Sequence, residues 1–233
     1  MWLKVPNRHE FRRLSQSIRV KRLLSIVCES DSCLLVDKPA GWLTTPAREG
    51  VNDPRPCLGR ELQKQVGYQI YPVHRLDFEV SGLTLWAKNP RSHALAQSWF
   101  EHGSVKKKYE AFSAWGESEP PVEFTLWKSN LVRGKRRTFA APHGKPSETM
   151  ARVVGSEREF RKWELLALTG RPHQLRFELS HRGFPIVGDM LYGGVAAPLK
   201  GWIALRAVEL DFRAVADRLG LPEIVSVVGL QIP

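Results

Sequence analysis

Residues 71–88 constrain this chain more than any other segment, because they join a charged group to a rigid support. Residues 83–87 form an apolar run, and a strand of this kind is paired or buried and therefore stiff. One carboxylate, Asp77, follows the basic pair His74-Arg75 and is expected at the mouth of the run, on a short turn closed by Ser81-Gly82. An acid beside an arginine on a rigid edge is held ionised and aimed. We therefore predict that Asp77 is a functional carboxylate.

The order of apolar segments predicts a fold of the α+β class. Strands are expected at residues 33–37, 83–88, 107–115, 162–168 and 203–212, and a helix is expected at residues 91–102. A second helix is expected to open at Gly170, with Pro172 in its first turn, and to end at Gly183. Strands mixed with helices without strict alternation favour a mixed, largely antiparallel central sheet with flanking helices.

The length of 233 residues is sufficient for one sizeable core. Residues 25–233 are expected to form the folded domain, and residues 1–24 an N-terminal arm or a single helix. Residues 117–121 and 143–147 are rich in turn formers and are expected to be surface loops.

The chain carries a formal net charge of +11, which suggests a polyanionic partner such as RNA. The plainer interpretation is a basic, solvated surface, and the charge alone would favour it. However, the basic residues form clusters with aromatic residues nearby, a mixture that binds a phosphate backbone and stacks bases. The clusters comprise Arg12, Arg13, Arg19, Lys21 and Arg22, then Lys106, Lys107 and Lys108, then Arg133, Lys135, Arg136 and Arg137.

Cysteine usage and hydropathy argue for a cytoplasmic protein. Cys28, Cys33 and Cys57 are odd in number and lack the spacing of zinc ligands, which favours a reducing compartment and no metal. The N-terminus lacks the apolar stretch of a secretory signal, and no apolar run approaches the length that spans a membrane. The chain also has no phosphate loop and no dinucleotide fingerprint, so no cofactor is expected.

Five segments in a fixed order carry a resemblance to a known family. His74-Arg75-Leu76-Asp77, with Ser81-Gly82-Leu83 and Ala87-Lys88, is similar to a catalytic signature. The other matching segments are residues 36–41, 107–111, 169–176 and 184–193. Together they resemble the RluA-type family of RNA pseudouridine synthases over about residues 33–212. A lone His-Arg-x-Asp would be weak evidence, whereas five ordered segments are specific.

The resemblance implies the pseudouridine synthase fold and an isomerase acting on RNA. The reaction breaks the N-glycosidic bond of a uridine, turns the base and rejoins it through carbon, so the family needs neither cofactor nor metal. By resemblance Asp77 is the nucleophile or charge stabiliser that this reaction needs. The alternative for Asp77 is a helix cap or a salt bridge in a loop.

The same resemblance implies three further residues of the site. Arg176 matches the arginine that pairs with the catalytic aspartate, because a carboxylate in a closed pocket needs a counterion. It could instead be a surface residue, with Arg171 in the pairing role. Tyr109 matches the family's active-site tyrosine, and Leu205 matches an apolar residue of the pocket. An aromatic or a leucine in a strand is otherwise a core residue.

The target uridine lies in folded RNA, so it must leave its stack to reach a pocket. In relatives the arginine equivalent to Arg75 fills the gap left by the base. His74 is expected to brace the loop, and His173 and Gln174 to contact RNA or to support the site. Lys38 is expected either to meet phosphate or to be an ordinary turn lysine.

Three positions depart from the family pattern. Val80 replaces a common threonine, Pro172 replaces the threonine before the box histidine, and Arg206 replaces a common histidine. None removes a predicted catalytic group, although they leave the subfamily and its RNA open. A compact stem-loop of ribosomal or transfer RNA is the expected partner, and a monomer is the default expectation. Without an S4-type RNA-binding domain, recognition would fall to the catalytic domain, its N-terminal arm and residues 126–146.

Other functions are less consistent with the chain. His-Arg-x-Asp also occurs in protein kinases, but the Gly-rich loop and Asp-Phe-Gly that a kinase requires are missing. A metal-dependent nuclease would need ligand pairs that the histidines do not form. The remaining alternative is an RNA-binding or folding factor that uses a synthase fold without essential catalysis.

Overall fold

A computed structural model describes residues 24–47, 53–197 and 202–232. The strands are β1 (Ser25–Glu29), β2 (Cys33–Lys38), β3 (Tyr71–Pro72), β4 (Ser81–Ala87), β5 (Lys106–Ala114), β6 (Thr125–Arg133), β7 (Thr138–Ala140), β8 (Lys145–Glu157), β9 (Phe160–Ala167), β10 (Leu205–Asp211) and β11 (Ile224–Ser226). The α-helices are α1 (Leu58–Val66), α2 (Pro90–Glu101) and α3 (Gln174–His181), and short 3₁₀ helices occupy Met190–Tyr192 and Ala216–Arg218. Except for Leu24, the predicted N-terminal arm lies outside the described residues.

The described strands form one mixed sheet. Their order is β1-β2-β4-β10-β5-β9-β8-β6-β7, with β3 also paired to β4 and β11 to β10. β4 and β10 run parallel, and the other pairs are antiparallel. This arrangement confirms the predicted α+β class and the mixed, largely antiparallel sheet.

β4 is apolar throughout because both of its faces are covered. Leu83 and Leu85 point into a core that also contains Ala96 and Trp99 of α2. Trp86 points to the opposite face, where it belongs to a core that includes residues of α1. A strand buried on both faces loses the polar alternation of a half-exposed strand. The predicted stiffness of residues 83–87 follows from this double burial.

A further core joins the other half of the sheet to α3. Trp163 and Leu165 of β9 lie in it, together with Leu175 and Leu179 of α3. α3 therefore packs its apolar face on the sheet, which brings the rest of the helix close to the turn that holds Asp77.

Two boundary predictions were wrong. α3 begins at Gln174, so Pro172 precedes the helix and does not lie in its first turn. Residues 145–147, expected in a surface loop, begin β8 and pair with β6. The left-handed backbone of His173 delays the start of α3, and pairing with β6 makes residues 145–147 extend as a strand despite their turn formers. No helix in the described segments is long and apolar enough to cross a membrane.

The contact between β4 and β10 requires a glycine at position 82. Gly82 pairs with Ala207 and has a φ of 113°, a conformation that favours glycine. A Cβ atom at Gly82 would lie 2.1 Å from the Ala207 carbonyl oxygen. The strand that follows Asp77 can therefore join the sheet only without a side chain here.

We expect Gly82→Ala to lower the free energy of unfolding far more than Gly67→Ala. Gly67 also has a positive φ, 80°, but nothing lies within 4 Å of its Cβ position. Gly67→Ala should cost about 1–2 kcal/mol for the left-handed backbone. Gly82→Ala adds an overlap with backbone and should cost at least about 2 kcal/mol more. Urea unfolding of both variants measures the difference, and equal losses would contradict the close approach of β4 and β10.

Candidate active site

Asp77 lies on a tight turn that leads directly into β4. The Val80 N–H donates to the Asp77 carbonyl oxygen at 3.2 Å, which closes the turn over residues 77–80. Ser81 and Gly82, which were expected to close this turn, are instead the first residues of β4. The Asp77 side chain is 29% exposed. A partly exposed carboxylate therefore stands at the start of a fully buried strand, as predicted.

Lys38 braces this turn from beneath. Its side chain is fully buried, and its ammonium donates to the carbonyl oxygens of Pro39 at 2.9 Å, Trp42 at 2.7 Å and Phe78 at 3.3 Å. Burial lowers the pKa of Lys38 to about 7, although the carboxylates of Asp77 and Glu79 oppose this shift. The ammonium group has three hydrogens, and each has a backbone carbonyl oxygen as its acceptor. Its position therefore supports bracing of the turn and not the phosphate contact considered for it.

A second brace comes from Thr44, which the sequence analysis did not single out. Its hydroxyl donates to the Leu76 carbonyl oxygen at 2.9 Å and accepts from the Leu76 N–H at 3.1 Å. The Gly41 N–H also donates to the Phe78 carbonyl oxygen at 2.8 Å. The backbone on both sides of Asp77 is thus fixed by the loop that follows β2.

Arg176 is the centre of charge at this site. Its side chain is 3% exposed, and its Nη1 lies 3.3 Å from both Asp77 Oδ2 and Glu79 Oε2. Its Nε and Nη2 donate to the two carboxylate oxygens of Asp189, at 2.7 and 2.8 Å. Burial alone would lower the pKa of Arg176, but the bonds to Asp189 and the nearby carboxylates raise it. The predicted contact between Arg176 and Asp77 is present.

Sequence reasoning missed two of the three carboxylates that share Arg176. Asp189 is 1% exposed and takes the bidentate position, and Glu79 lies two residues after Asp77 on the same turn. The presence of a second acid within the turn was a visible signal for Glu79. Asp189 follows Gly188 in a loop, and only the fold brings it to Arg176.

Tyr109 lies near Asp77 with its hydroxyl uncommitted. Burial and the negative charge of Asp77 both raise the pKa of the phenol, so Tyr109 stays protonated at neutral pH. Among the described residues, none exchanges a hydrogen bond with this hydroxyl, whereas the ring packs against the core. Leu205 begins β10, belongs to the same core and is 3% exposed. The phenol of Tyr109 therefore lies close enough to Asp77 to respond to its charge, and Leu205 belongs to the core on which the phenol packs.

The basic pair before Asp77 divides into two environments. Arg75 is exposed. His74 is partly buried, stacks on Phe100 with ring centroids 4.5 Å apart, and accepts a hydrogen bond from the Leu85 N–H at 3.1 Å. Burial, with the charge of Lys107, lowers the pKa of His74 to about 3, so the ring is neutral and can accept. This geometry agrees with the bracing role expected for His74.

Gln174 is committed to the protein backbone and its near neighbours. It is 4% exposed, and its Nε2 donates to the Glu148 carbonyl oxygen and to Thr149 Oγ1, both at 2.9 Å. Its Oε1 accepts from Thr169 Oγ1 and from the Arg171 N–H. Gln174 therefore fixes the loop before α3 to β8, and its position supports no direct contact with RNA.

Comparison with known proteins identifies the family. Residues 32–181 match a family model described as RNA pseudouridylate synthase. The chain belongs to this family. It is similar to the dual-specificity RNA pseudouridine synthase RluA of Vibrio vulnificus (strain CMCP6), with 34% identity over 199 residues that cover 80% of this chain and 76% of that protein.

Two further similarities agree. The ribosomal large subunit pseudouridine synthase D of Yersinia pestis is 31% identical over 195 residues, covering 76% of this chain and 55% of that protein. The solved structure of human RNA pseudouridylate synthase domain containing 1 superposes with a TM-score of 0.68 at 25% identity, covering 90% of this chain and 84% of that one. The synthase is therefore an RNA-modifying isomerase of the RluA type, and the predicted family and fold are confirmed.

The departures from the family pattern have local partners in the synthase. Val80 is buried in the core beneath the turn. Arg206 Nη2 bonds Asp37 Oδ2 at 2.6 Å, across β4, which lies between their strands. The Pro172 carbonyl oxygen accepts from Thr138 Oγ1 at 2.7 Å. None of the three disturbs the contacts between Arg176 and its carboxylates.

We expect Lys38→Met to destabilise the synthase, because three carbonyl oxygens would lose their shared donor. The loss should be about 2 kcal/mol or more, because the Phe78 oxygen keeps the Gly41 N–H, whereas the oxygens of Pro39 and Trp42 lose their donor at roughly 1–3 kcal/mol for each acceptor left without a partner. Lys64→Met is the control, because Lys64 is 72% exposed and forms a surface ion pair with Glu61. It should change stability by less than about 0.5 kcal/mol. Urea unfolding that leaves Lys38→Met as stable as Lys64→Met would refute the brace.

Proposed function

We propose that this synthase converts uridine to pseudouridine in ribosomal or transfer RNA, with Asp77 as the nucleophile. The observation that carries the proposal is a partly exposed Asp77 on a braced turn, in contact with a buried Arg176 and near a protonated Tyr109. A carboxylate, its counterion and a protonated phenol are thus brought together at one turn. This combination suits a flat, neutral base whose sugar must be attacked or stabilised.

The chemistry balances without an outside reagent. The bond between N1 and C1′ of the uridine breaks, the base turns, and a bond forms between C5 and C1′. The C5 proton leaves and N1 gains one, so no electron or group is exchanged with another molecule. A carboxylate can add to the sugar or stabilise the charge that develops when the first bond breaks. We propose that Tyr109 packs against the base; its phenol stays protonated, so it can donate a hydrogen bond there but is not the group that takes the C5 proton.

Among the three carboxylates at Arg176, Asp77 is the best nucleophile. Asp189 is almost fully buried, and both of its carboxylate oxygens accept hydrogen bonds from the guanidinium. Its role is therefore to hold Arg176 in place. Glu79 is 34% exposed and follows Asp77 in the sequence, so it is farther along the chain from the basic pair His74-Arg75. Of the three carboxylates, Asp77 is the one that both contacts Arg176 and raises the pKa of Tyr109 through its charge.

We propose that the target base is turned out of its stack and that Arg75 enters the gap. Arg75 is exposed and stands two residues before Asp77 on the same segment. A guanidinium is flat and stacks on bases, which suits it to replace one. The position of Asp77 also favours base flipping, because a recessed carboxylate cannot reach a nucleotide that remains stacked inside a helix.

RNA binding is best supported at the β6–β7 hairpin. Arg133, Lys135, Arg136 and Arg137 at its tip are all exposed, and Phe139 is 44% exposed beside them. The second basic cluster contributes less, because Lys107 is buried and Lys108 pairs with Glu209 at 3.0 Å. The first cluster lies outside the described residues. A basic tip with an exposed aromatic fits the backbone and loop of a folded RNA.

The alternative is an RNA-binding or folding factor without essential catalysis. The basic hairpin would serve that role equally well. The contact of Arg176 with Asp77 favours the enzyme, because a binding factor has no need to bury a guanidinium beneath a partly exposed carboxylate. Asp77→Ala separates the two roles in cells, since a binding factor tolerates the loss of this group.

We expect Asp77→Asn to abolish turnover while RNA affinity changes less than about threefold, because the phosphate contacts lie elsewhere. Turnover should fall at least about 1,000-fold. Purified protein is incubated with unmodified transfer RNA and ribosomal RNA, and pseudouridine is quantified by mass spectrometry of nucleosides. Glu79→Gln is the matched control, since it removes a charge at the same guanidinium and should keep measurable turnover. Normal product from Asp77→Asn would rule out Asp77 as the nucleophile.

We expect Arg176→Ala to be inactive, because Asp77 loses its counterion. The single change also leaves Asp189 buried without a partner, which costs about 3–5 kcal/mol of stability. The double variant Arg176→Met with Asp189→Asn removes this buried charge and should recover much of the thermal stability. It should nevertheless remain inactive in the nucleoside assay. A stable double variant with full turnover would assign the counterion role to another residue.

A further inference from the structure

His173 has a backbone conformation that a histidine adopts only under constraint. Its φ is 52° and its ψ is 22°, in the left-handed region, and its side chain caps no N–H of α3. A non-glycine residue in this region is uncommon and costs free energy, which the surrounding structure must supply. The side chain is 12% exposed, and its Nε2 lies 3.9 Å from Asp77 Oδ2. The imidazole is therefore enclosed, with Nε2 facing the proposed nucleophile.

The other ring nitrogen, Nδ1, faces hydrogen-bond donors. The Tyr192 hydroxyl lies 3.1 Å from it, and Arg133 Nη1 lies 3.4 Å from it. A guanidinium can only donate. The Tyr192 oxygen accepts from the Thr138 N–H at 2.7 Å, and its own proton can go to Nδ1 at 3.1 Å or to the Thr138 carbonyl oxygen at 3.4 Å, of which Nδ1 is the nearer. Nδ1 is therefore the acceptor, and in the neutral ring the proton must be on Nε2.

The charges around the ring favour its neutral form. Burial lowers the pKa of His173 most, the charges of Arg176 and Arg133 lower it further, and those of Asp77 and Glu79 oppose them. These residues come from α3, from the end of β6 and from the turn before β4. A neutral ring can present an N–H to Asp77 without competing with Arg176 as a cation.

We propose that His173 is a positioning residue for Asp77, held as the Nε2–H tautomer by Tyr192 and Arg133 so that its N–H orients the carboxylate. The inference rests on the proposed function, and it assigns His173 a role other than direct contact with RNA. The separation of 3.9 Å is longer than a hydrogen bond, and catalytic contacts often tighten only when substrate is bound.

The contacts of His173 also join the basic hairpin to the site of chemistry. Arg133 ends β6, and Thr138 begins β7, so both belong to the hairpin whose tip is exposed. Besides the bond to Tyr192, Thr138 holds Pro172, the residue before His173, through its hydroxyl at 2.7 Å. The hairpin proposed to bind RNA and the ring that faces Asp77 therefore share these hydrogen bonds.

The tautomer is measurable without any assay of activity. Histidine ¹⁵N chemical shifts of the full chain, assigned by comparison with His173→Asn, should show Nε2 protonated and Nδ1 unprotonated at neutral pH. Arg133→Met and Tyr192→Phe should each increase the Nδ1–H form. A wild-type ring that carries its proton on Nδ1, or on both nitrogens, would overturn the inference, whatever the enzyme does.

Kinetics test the positioning role itself. His173→Asn tolerates the left-handed backbone but cannot reach Asp77, so kcat should fall about 10- to 100-fold with KM for RNA nearly unchanged. His173→Gln places an amide N–H near the position of Nε2 and should recover part of kcat. The control is His102→Asn, because His102 is exposed at the end of α2 and should leave both constants unchanged.

The possible results separate the two proposals. A rise in KM with kcat unchanged in His173→Asn would make His173 an RNA contact and overturn its positioning role, and no change in either constant would do the same. If the wild-type chain forms no pseudouridine, the proposed function fails. The tautomer and its response to Arg133→Met and Tyr192→Phe then decide the inference alone.

Discussion

The guanidinium of Arg176 is the interaction on which the site depends. It is almost fully buried, and it contacts three carboxylates that come from two separate parts of the chain. Asp189 takes the bidentate position on Nε and Nη2 and fixes the plane of the guanidinium, so that Nη1 with its two N–H bonds remains for Asp77 and Glu79 on the turn. A buried arginine held this way has a fixed direction as well as a fixed charge. Asp77 can therefore be both partly exposed and anchored.

The turn that carries Asp77 is rigid for reasons that lie outside the site. β4 is covered on both faces, Gly82 lets it approach β10, and Lys38 and Thr44 hold the backbone just before it. Each of these constraints lowers the stability of the fold, because burying an ammonium and ordering a glycine with positive φ both cost free energy. Such costs are accepted where a side chain must be placed accurately. The core and the loop after β2 therefore help Arg176 to fix the position of Asp77.

The elements that could be predicted from the sequence are those that a local pattern of residues determines. The doubly buried β4 and the helix α2 were located within two residues, because hydrophobic runs and terminal glycines mark them. The partners of Arg176 could not be predicted in full, since Asp189 reaches it only through the loop after α3. Lys38 was ambiguous for a similar reason: whether a lysine lies in solvent or beneath a turn depends on packing between segments forty residues apart. The start of β8 was missed because pairing with β6 overrides local turn formers.

Site-resolved mapping of pseudouridine in cellular RNA tests the central claim most directly. Total RNA is compared from cells with the gene, without it, and without it but supplied with either the wild type or Asp77→Asn. We predict at least one site in ribosomal or transfer RNA that disappears with the gene, returns with the wild type and stays absent with Asp77→Asn. A map that does not change while the protein is expressed, or a site that Asp77→Asn restores, would contradict catalysis by Asp77.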